Sequence, residues 1–129
     1  AEIDPAAPVQ TSLAALADRI TRFFLSDFGQ QMYRICVAES HRFPELGERF
    51  YASVPQMLCQ RLGAILQGYV TRGSLRIDDI DLAADQFHEL CKADIFPRLV
   101  FNMTPRITDA EKLRVANGAV DMFMARYAA

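Results

Sequence analysis

The sequence predicts an all-α protein. Apolar residues recur at helical spacing along most of the 129 residues, while alternating strand-like runs and Asn-Gly hairpin signals are missing. Hydrophobic residues make up 51% of the chain, which is enough for one domain to build a continuous core without disulfides or metals. No internal repeat or low-complexity tract divides the sequence, so a single helical bundle is expected.

The N-terminal segment AEIDPAAPVQ, residues 1–10, is expected to be a flexible lead-in from a missing N-terminal domain. It lacks the basic start and apolar centre of a signal peptide. Residues 11–129 then predict one domain, whose first helix follows Thr11 or Ser12 as its cap and stops at Gly29. The apolar face of this helix comprises Leu13, Leu16, Ala17, Ile20, Phe23 and Phe24.

Prolines mark the boundaries of the next helices. The second helix is expected to stop before Pro44, because a proline disfavours helical backbone at the preceding residue, and a short helix then runs from Pro44 to about Ala52. Pro55 fits the first turn of the fourth helix, where its missing N–H costs little, and Gly73 ends that helix. One stripe of the second helix contains Met32, Ile35, Cys36 and Glu39, and one stripe of the fourth contains Leu58, Arg61, Leu62, Ile65 and Tyr69.

Two long helices complete the predicted bundle. One is expected from Asp79 to about Asn102, with a bend near Pro97. The other runs from about Asp109 to Ala128, with Thr108 as its cap and Glu111 as the partner in a capping box. The aspartates before the first of these helices predict helix caps, because the fixed oxygen pattern of a calcium-binding EF-hand loop is missing.

Composition argues against several classes of protein. A net charge of -2 at pH 7 and a pI near 5.6 disfavour an autonomous nucleic-acid binder, which needs a concentrated basic surface. Charged residues interrupt every long apolar region, so no membrane-spanning helix is expected. Three widely spaced cysteines suit a reducing cytosol rather than a disulfide framework, so a cytoplasmic location is expected. These cysteines are Cys36, Cys59 and Cys91.

Both long helices are apolar on two sides, and both sides must be covered. The inner stripes contain Ile80, Ala84, Phe87, Leu90, Cys91, Leu113, Ala116, Val120, Phe123, Met124 and Tyr127. The outer stripes contain Leu82, Ala93, Phe96, Val100, Val115, Gly118, Ala119 and Met122. A glycine inside a helix, such as Gly118, costs roughly 1 kcal/mol and is best explained by close approach of another backbone. A homodimer whose last two helices form a four-helix bundle is expected, and a monomer with central long helices is the alternative.

Apolar stripes on three of the predicted helices also supply candidates for a binding cavity. Glu39, Arg61 and Asp94 each lie within an apolar stripe, and a buried charge needs a partner. Two interpretations stay open. Arg61 pairs with Glu39 or Asp94, and Asp94 with Arg98, or one of these groups contacts a ligand. The candidate ligand-binding residues are Phe24, Phe28, Met32, Cys36, Glu39, Met57, Arg61, Phe87, Cys91 and Asp94.

Catalytic and metal sites have little support in the sequence. Asp85, His88 and Cys91 share one side of a predicted helix, but a metal site needs about four ligands, and no C-x-x-C or H-E-x-x-H motif supplies the rest. His41 and His88 are therefore read as surface or capping residues. The sequence contains no G-x-S-x-G elbow, phosphate-binding loop or dinucleotide fingerprint. Neither an enzyme nor a metal or other cofactor is expected.

Two motifs resemble a known family. The pattern A-E-x-x-x-F-P-E-L-x-x-x-F-Y is matched at Ala38, Glu39, Phe43, Pro44, Glu45, Leu46, Phe50 and Tyr51. A G-x-L-R-x-D-D turn follows at Gly73, Leu75, Arg76, Asp78 and Asp79. Together with the final helix, these segments are similar to the ligand-sensing domains of the TetR-like bacterial transcription regulators. The N-terminal helix-turn-helix DNA-binding unit of that family is absent from these residues.

The resemblance implies the effector-binding and dimerisation domain of a transcription regulator, in particular a repressor. It implies a small lipophilic effector, a homodimer through the last two helices, and DNA binding only through the missing helix-turn-helix domain. No pocket residue transfers by motif, because the family's ligand-binding residues vary among its members. The alternative function is a helical protein-interaction module without a small-molecule site.

Overall fold

The computed structural model describes residues 3–53, 55–103 and 106–129. Within these ranges the chain forms seven helices, and the predicted all-α class is confirmed. The helices are α1 (Val9–Leu25), α2 (Asp27–Glu39), α3 (Pro44–Ser53), α4 (Pro55–Thr71), α5 (Ile80–Leu90), α6 (Ile95–Val100) and α7 (Asp109–Tyr127). No described helix combines the length and the apolar composition that crossing a membrane requires.

Helices α1, α4, α5 and α7 enclose the hydrophobic core, and this four-helix unit is called the core bundle below. Leu13, Leu66, Phe87 and Phe123 are almost completely inaccessible to solvent. The rings of Phe87 and Phe123 meet edge to face, with 5.3 Å between their centroids, so α5 and α7 are joined by a favourable aromatic pair. Burial of such side chains contributes about 1.5–3 kcal/mol each to folding.

Helix α1 begins at Val9, earlier than the cap predicted at Thr11 or Ser12. Ser12 is buried, and its hydroxyl shares a 2.5 Å hydrogen bond with the hydroxyl of Tyr69 on α4. The Tyr69 hydroxyl in turn donates to the carbonyl oxygen of Ala7 at 2.8 Å. The expected capping residue is therefore part of a buried polar contact that fastens the start of α1 to α4.

The sequence predicted that the first helix stops at Gly29, and this prediction is wrong. Gly29 lies in the first turn of α2. Ser26 caps α2, because its hydroxyl oxygen accepts a 3.0 Å hydrogen bond from the Gly29 amide. A Cβ atom added at Gly29 would lie 2.3 Å from the carbonyl oxygen of Phe23. The glycine is thus required by the close approach of the end of α1 and the start of α2. By contrast, the helix starts predicted at Pro44 and Pro55 are confirmed.

The prediction of a single long helix from Asp79 to Asn102 is wrong, because the chain turns between Leu90 and Ile95. Asp94 adopts a left-handed backbone conformation, with φ of 65°, immediately before α6. Pro97 then falls in the first turn of α6, where helical N–H groups lack an intrahelical acceptor, so its missing N–H disrupts nothing. The predicted pairing of Asp94 with Arg98 is confirmed at 3.8 Å.

The capping box predicted at the start of α7 is confirmed. The Thr108 hydroxyl oxygen accepts from the Glu111 amide at 3.1 Å, and the Glu111 carboxylate accepts from the Thr108 amide at 2.8 Å. Glu111 also pairs with Arg98 at 3.0 Å. Hydrogen bonds from Arg98 and then Thr108 lower the pKa of Glu111 to about 2. This carboxylate therefore joins α6 to the beginning of α7.

Candidate functional site

A cavity of about 470 Å³ lies beside the core bundle, under α2 and α3. Helices α2 and α3 are called the arm below. The volume is within the range of small-molecule sites, about 300–1,000 Å³. The lining residues are Phe23, Phe24, Gly29, Tyr33, Cys36, Val37, Ser40, Gly47, Phe50, Tyr51, Pro55, Leu58, Cys59, Asp85, His88, Glu89, Lys92 and Phe96. Val37 and Tyr51 are exposed, so the cavity communicates with solvent on the arm side.

One wall of the cavity is aromatic. Phe96 of α6 meets Phe24 of α1 edge to face at a centroid distance of 5.5 Å, and it meets Tyr33 of α2 in the same way at 4.9 Å. Phe50 and Tyr51 add rings from α3. The aromatic wall therefore joins the arm to the core bundle, and its rings offer faces and edges for stacking against a flat ligand.

A polar strip on α5 and the turn that follows it also lines the cavity. His88 and Glu89 lie three and four residues after Asp85, which places these three residues on one side of α5, and Lys92 follows in the turn. The Lys92 ammonium pairs with Glu89 at 3.1 Å and lies 4.9 Å from the centroid of the Phe96 ring. The strip thus brings three charged groups and one imidazole to an otherwise apolar cavity.

The polar strip contains an imidazole without a protein partner. His88 Nδ1 is buried and has no hydrogen-bond partner among the described residues. Burial, followed by the nearby Lys92 ammonium, lowers the pKa of His88 below its ordinary value of 6.5, so the ring is neutral at neutral pH. Burial, followed by a hydrogen bond with Asp85, raises the pKa of the neighbouring Cys59 thiol to about 12. Both groups are therefore uncharged, and the Cys59 thiol is a poor nucleophile.

Two of the ten candidate ligand-binding residues, Phe24 and Cys36, line the cavity. The other eight lie elsewhere. Phe87 and Cys91 are buried in the core bundle, where burial raises the pKa of Cys91 to about 12. Glu39 pairs with the neighbouring Arg42 at 3.8 Å. The remaining residues are exposed or half-buried outside the lining, namely Phe28, Met32, Met57, Arg61 and Asp94.

The sequence interpretation missed the polar strip and most of the aromatic wall. Of the three possible metal ligands that share one side of this helix in the sequence, Asp85 and His88 line the cavity, whereas Cys91 is buried in the core bundle. Within the described ranges, no three His, Cys, Asp or Glu side chains form a metal-binding group. The three- and four-residue spacing from Asp85 to His88 and Glu89 was the available signal, because it marks one side of α5.

The outer surface of α5 and α7 differs from the predicted dimer face. Val115 and Ala119 are buried in the core of this chain, whereas Leu113, predicted to face the core, is 61% exposed. Because α7 packs against both α1 and α5, its buried side includes Val115 and Ala119 as well as the predicted Val120, Phe123 and Tyr127. Phe96 and Val100 are half-buried. Exposed positions remain at Leu82, Ala93, Gly118 and Met122.

A groove runs between the outer sides of α5 and α7. Its lining residues are Gln86, Glu89, Leu90, Ala93, Met122, Phe123, Arg126 and Tyr127. Met122 on its edge is 61% exposed. A Cβ atom added at Gly118, one helical turn earlier on α7, would meet no atom within 4 Å. The chain itself therefore leaves this surface open to close approach.

Comparison with known proteins identifies a matching family and several similar folds. The family described as "AefR-like transcriptional repressor, C-terminal domain" matches residues 11–129. No curated protein matches the chain. A TetR-family transcriptional regulator from Mesorhizobium loti MAFF303099 shares 23% identity, with a TM-score of 0.88 over 96% of this chain and 61% of that structure.

Two further structures share the fold. The flavonoid-responsive regulator FrrA has 24% identity and a TM-score of 0.87, covering 97% of this chain and 63% of its own. A TetR-family transcriptional regulator from Pseudomonas syringae pv. tomato str. DC3000 has 22% identity and a TM-score of 0.77, covering 98% and 64%. The chain thus spans somewhat less than two thirds of each of these structures.

Proposed function

Because the chain belongs to the AefR-like C-terminal domain family of TetR-type transcription regulators, we propose that it is the effector-binding and dimerisation domain of such a regulator, in particular a repressor. The cavity between the arm and the core bundle carries this proposal. It has the size of a small-molecule site, an aromatic wall and a few polar groups that can fix orientation. The effector is a small lipophilic molecule. A fold shared with a regulator described as flavonoid-responsive is consistent with such a sensor.

In this function the domain senses and does not catalyse. An effector that binds one arrangement of the arm more tightly than another shifts the population of conformations. In the dimer, that shift alters the spacing of two DNA-reading heads, which belong to another part of the regulator. A net charge of -2 agrees with a domain that leaves operator binding to those heads. The chain alone should give no specific operator band in a gel-shift assay. Tight specific binding would contradict the proposal that operator binding belongs to the DNA-reading heads.

A thermal-shift screen with lipophilic compounds tests the effector site, because a ligand that binds only the folded state raises the melting temperature. Phe50→Ala removes a cavity ring and should abolish or strongly reduce the shift given by any hit. Phe28→Ala is the matched control, because Phe28 is 65% exposed and lies outside the cavity lining. No stabilising compound, or equal loss of the shift in both variants, would favour an interaction module without a small-molecule site.

We infer that the groove between α5 and α7 is covered by the same groove of a second copy. Exposed Leu82 and Met122 supply apolar contacts, and the free space beside Gly118 allows a second helix to approach. Met122→Glu should convert the dimer to monomer in sedimentation or light-scattering measurements. Leu113→Glu is the matched control, since Leu113 is equally exposed but borders α1 instead. A monomeric native chain would contradict this inference.

A further inference from the structure

We propose that the cavity prefers uncharged, flat aromatic ligands that carry a hydroxyl group, with the ring against the aromatic wall and the hydroxyl hydrogen-bonded to the His88 imidazole. This inference rests on the proposed function, since it names the chemical class of the effector for the same cavity. It is carried by three observations on the lining. They are the arrangement of the rings, the buried nitrogen of His88 and the charge balance of the polar strip.

The aromatic wall favours a flat ligand over a flexible chain. Phe24, Tyr33 and Phe96 meet edge to face, which leaves ring faces and edges directed to different sides of the cluster. A rigid ring system gains offset or edge-to-face contacts with such a wall. An alkyl chain of similar area also loses the freedom of many rotatable bonds when it binds. At equal apolar area, the rigid aromatic ligand therefore binds more tightly.

The His88 imidazole calls for a ligand that can hydrogen-bond. The ring lines the cavity, but its Nδ1 is covered by protein and has no partner among the described residues, so the ring must rotate slightly before a ligand hydroxyl can satisfy this costly unpaired atom. A neutral imidazole has one donor nitrogen and one acceptor nitrogen, and a hydroxyl group can both donate and accept. A hydroxyl therefore suits the ring in either tautomer. The lowered pKa of His88 keeps the ring neutral at the pH of the cytoplasm.

The charges of the polar strip disfavour a carboxylate on the ligand. Lys92 is the cation of the strip, and its ammonium is already paired with Glu89 at 3.1 Å. Asp85 adds a second carboxylate and also faces the cavity. Two carboxylates against one ammonium leave an excess of negative charge. An anionic ligand would be repelled by this charge and would also lose hydration free energy on entering the cavity. An uncharged hydroxyl carries no such cost.

Three matched probes separate ring, hydroxyl and charge, namely naphthalene, 2-naphthol and 2-naphthoate. Their dissociation constants for the full chain can be measured by calorimetry at neutral pH. We expect 2-naphthol to bind about fivefold more tightly than naphthalene, the effect of one net hydrogen bond. We expect 2-naphthoate to bind more weakly than either. Equal binding of naphthalene and 2-naphthol, or strongest binding of the carboxylate, would overturn the inference.

Variants at position 88 assign the preference to the imidazole. His88→Leu should bring the affinities of naphthalene and 2-naphthol within about twofold of each other, because the hydrogen bond is lost. His88→Gln, whose amide can donate or accept, should restore part of the difference. His41→Leu is the control, since His41 is exposed and lies outside the cavity lining. Retention of the full preference in His88→Leu would assign it to another group and contradict the inference.

The same measurements distinguish failure of this inference from failure of the proposed function. If none of the three probes binds but other lipophilic compounds raise the melting temperature through Phe50, the cavity is an effector site and only the hydroxyl-aromatic class is wrong. If neither the probes nor the wider screen bind in the cavity, the effector site itself is wrong, and the inference fails with it.

Discussion

The core bundle is more tightly packed than the arm. Helix α1 buries eight residues, whereas α3 buries none and α2 buries only Gly29 and Cys36 among the described residues. The core bundle is therefore close-packed, and the arm lies against it with a cavity between them. Regions with few buried apolar contacts open at low free-energy cost. In this domain, stability resides in the core bundle, and the proposed effector site lies beneath the arm.

The largest expected difference in stability between the two regions comes from removing one aromatic ring from each of them. Phe87→Ala leaves a void in the core and should lower the free energy of unfolding by about 3–5 kcal/mol. Phe50→Ala on α3 should lower it by less than about 1 kcal/mol, because that ring is only half-buried beside an existing cavity. Urea unfolding monitored by circular dichroism measures both. Equal losses would show that the arm and the core bundle contribute alike.

A smaller effect is expected where the arm leaves the core bundle. Gly29→Ala should destabilise the domain by about 1–3 kcal/mol, because the new Cβ collides with the backbone at Phe23. Gly68→Ala on α4 is the matched control, since its Cβ would meet nothing within 4 Å, and it should instead stabilise by about 0.5–1 kcal/mol. Thermal melts of the two variants should shift in opposite directions, and shifts of the same sign would contradict this description of the junction.

A substitution in the capping box of α7 measures how much this exposed helix end contributes to the stability of the core bundle. Thr108→Ala removes the hydroxyl that accepts from the Glu111 amide and should cost about 1 kcal/mol. Thr71→Ala, at the exposed end of α4, is a control that should change stability by less than about 0.5 kcal/mol. Chemical unfolding compares them directly, and an unchanged midpoint in Thr108→Ala would show that the box contributes nothing.

The smallest expected effect is a pH dependence that originates in the polar strip. Desolvation and Lys92 lower the pKa of folded His88 below 6.5, the value expected when unfolded, while Asp85 and Glu89 oppose the shift. The unfolded chain therefore binds a proton first as the pH falls, so the free energy of unfolding should decrease from about pH 7 to pH 5. The uncharged Cys59 thiol of α4 does not titrate in this interval. His88→Leu should lose this component of the slope, and His41→Leu should retain it. Unchanged slopes in both variants would contradict the assignment.

The sequence predicted the helices best where local chemistry sets their ends. Pro44, Pro55 and the Thr108–Glu111 box each restrict the backbone within a few residues, and the predicted starts are confirmed. Gly29 was misread because a glycine required by close packing looks the same in a sequence as a glycine that ends a helix. The turn before α6 escaped prediction because Asp94 adopts positive φ without a glycine to signal it.

The site was harder to predict because periodicity shows that a helix has an apolar side without showing which helix covers it. Phe87 and Cys91 share a stripe that faces the core, while Asp85 and His88 on the adjacent side of α5 face the cavity. Likewise, Val115 and Ala119 of α7, which the sequence assigns to a partner subunit, are buried within the chain itself. Only the placement of the other helices relative to α5 decides which residues meet, and that placement depends on contacts distant in sequence.

A crystal structure of the domain with a stabilising lipophilic compound tests the central claim most directly. The predicted result is density for the compound between the arm and the core bundle, in contact with Phe50 and Phe96 and beside His88. Density for the compound in the groove between α5 and α7, with the cavity beneath the arm unoccupied, would contradict the account.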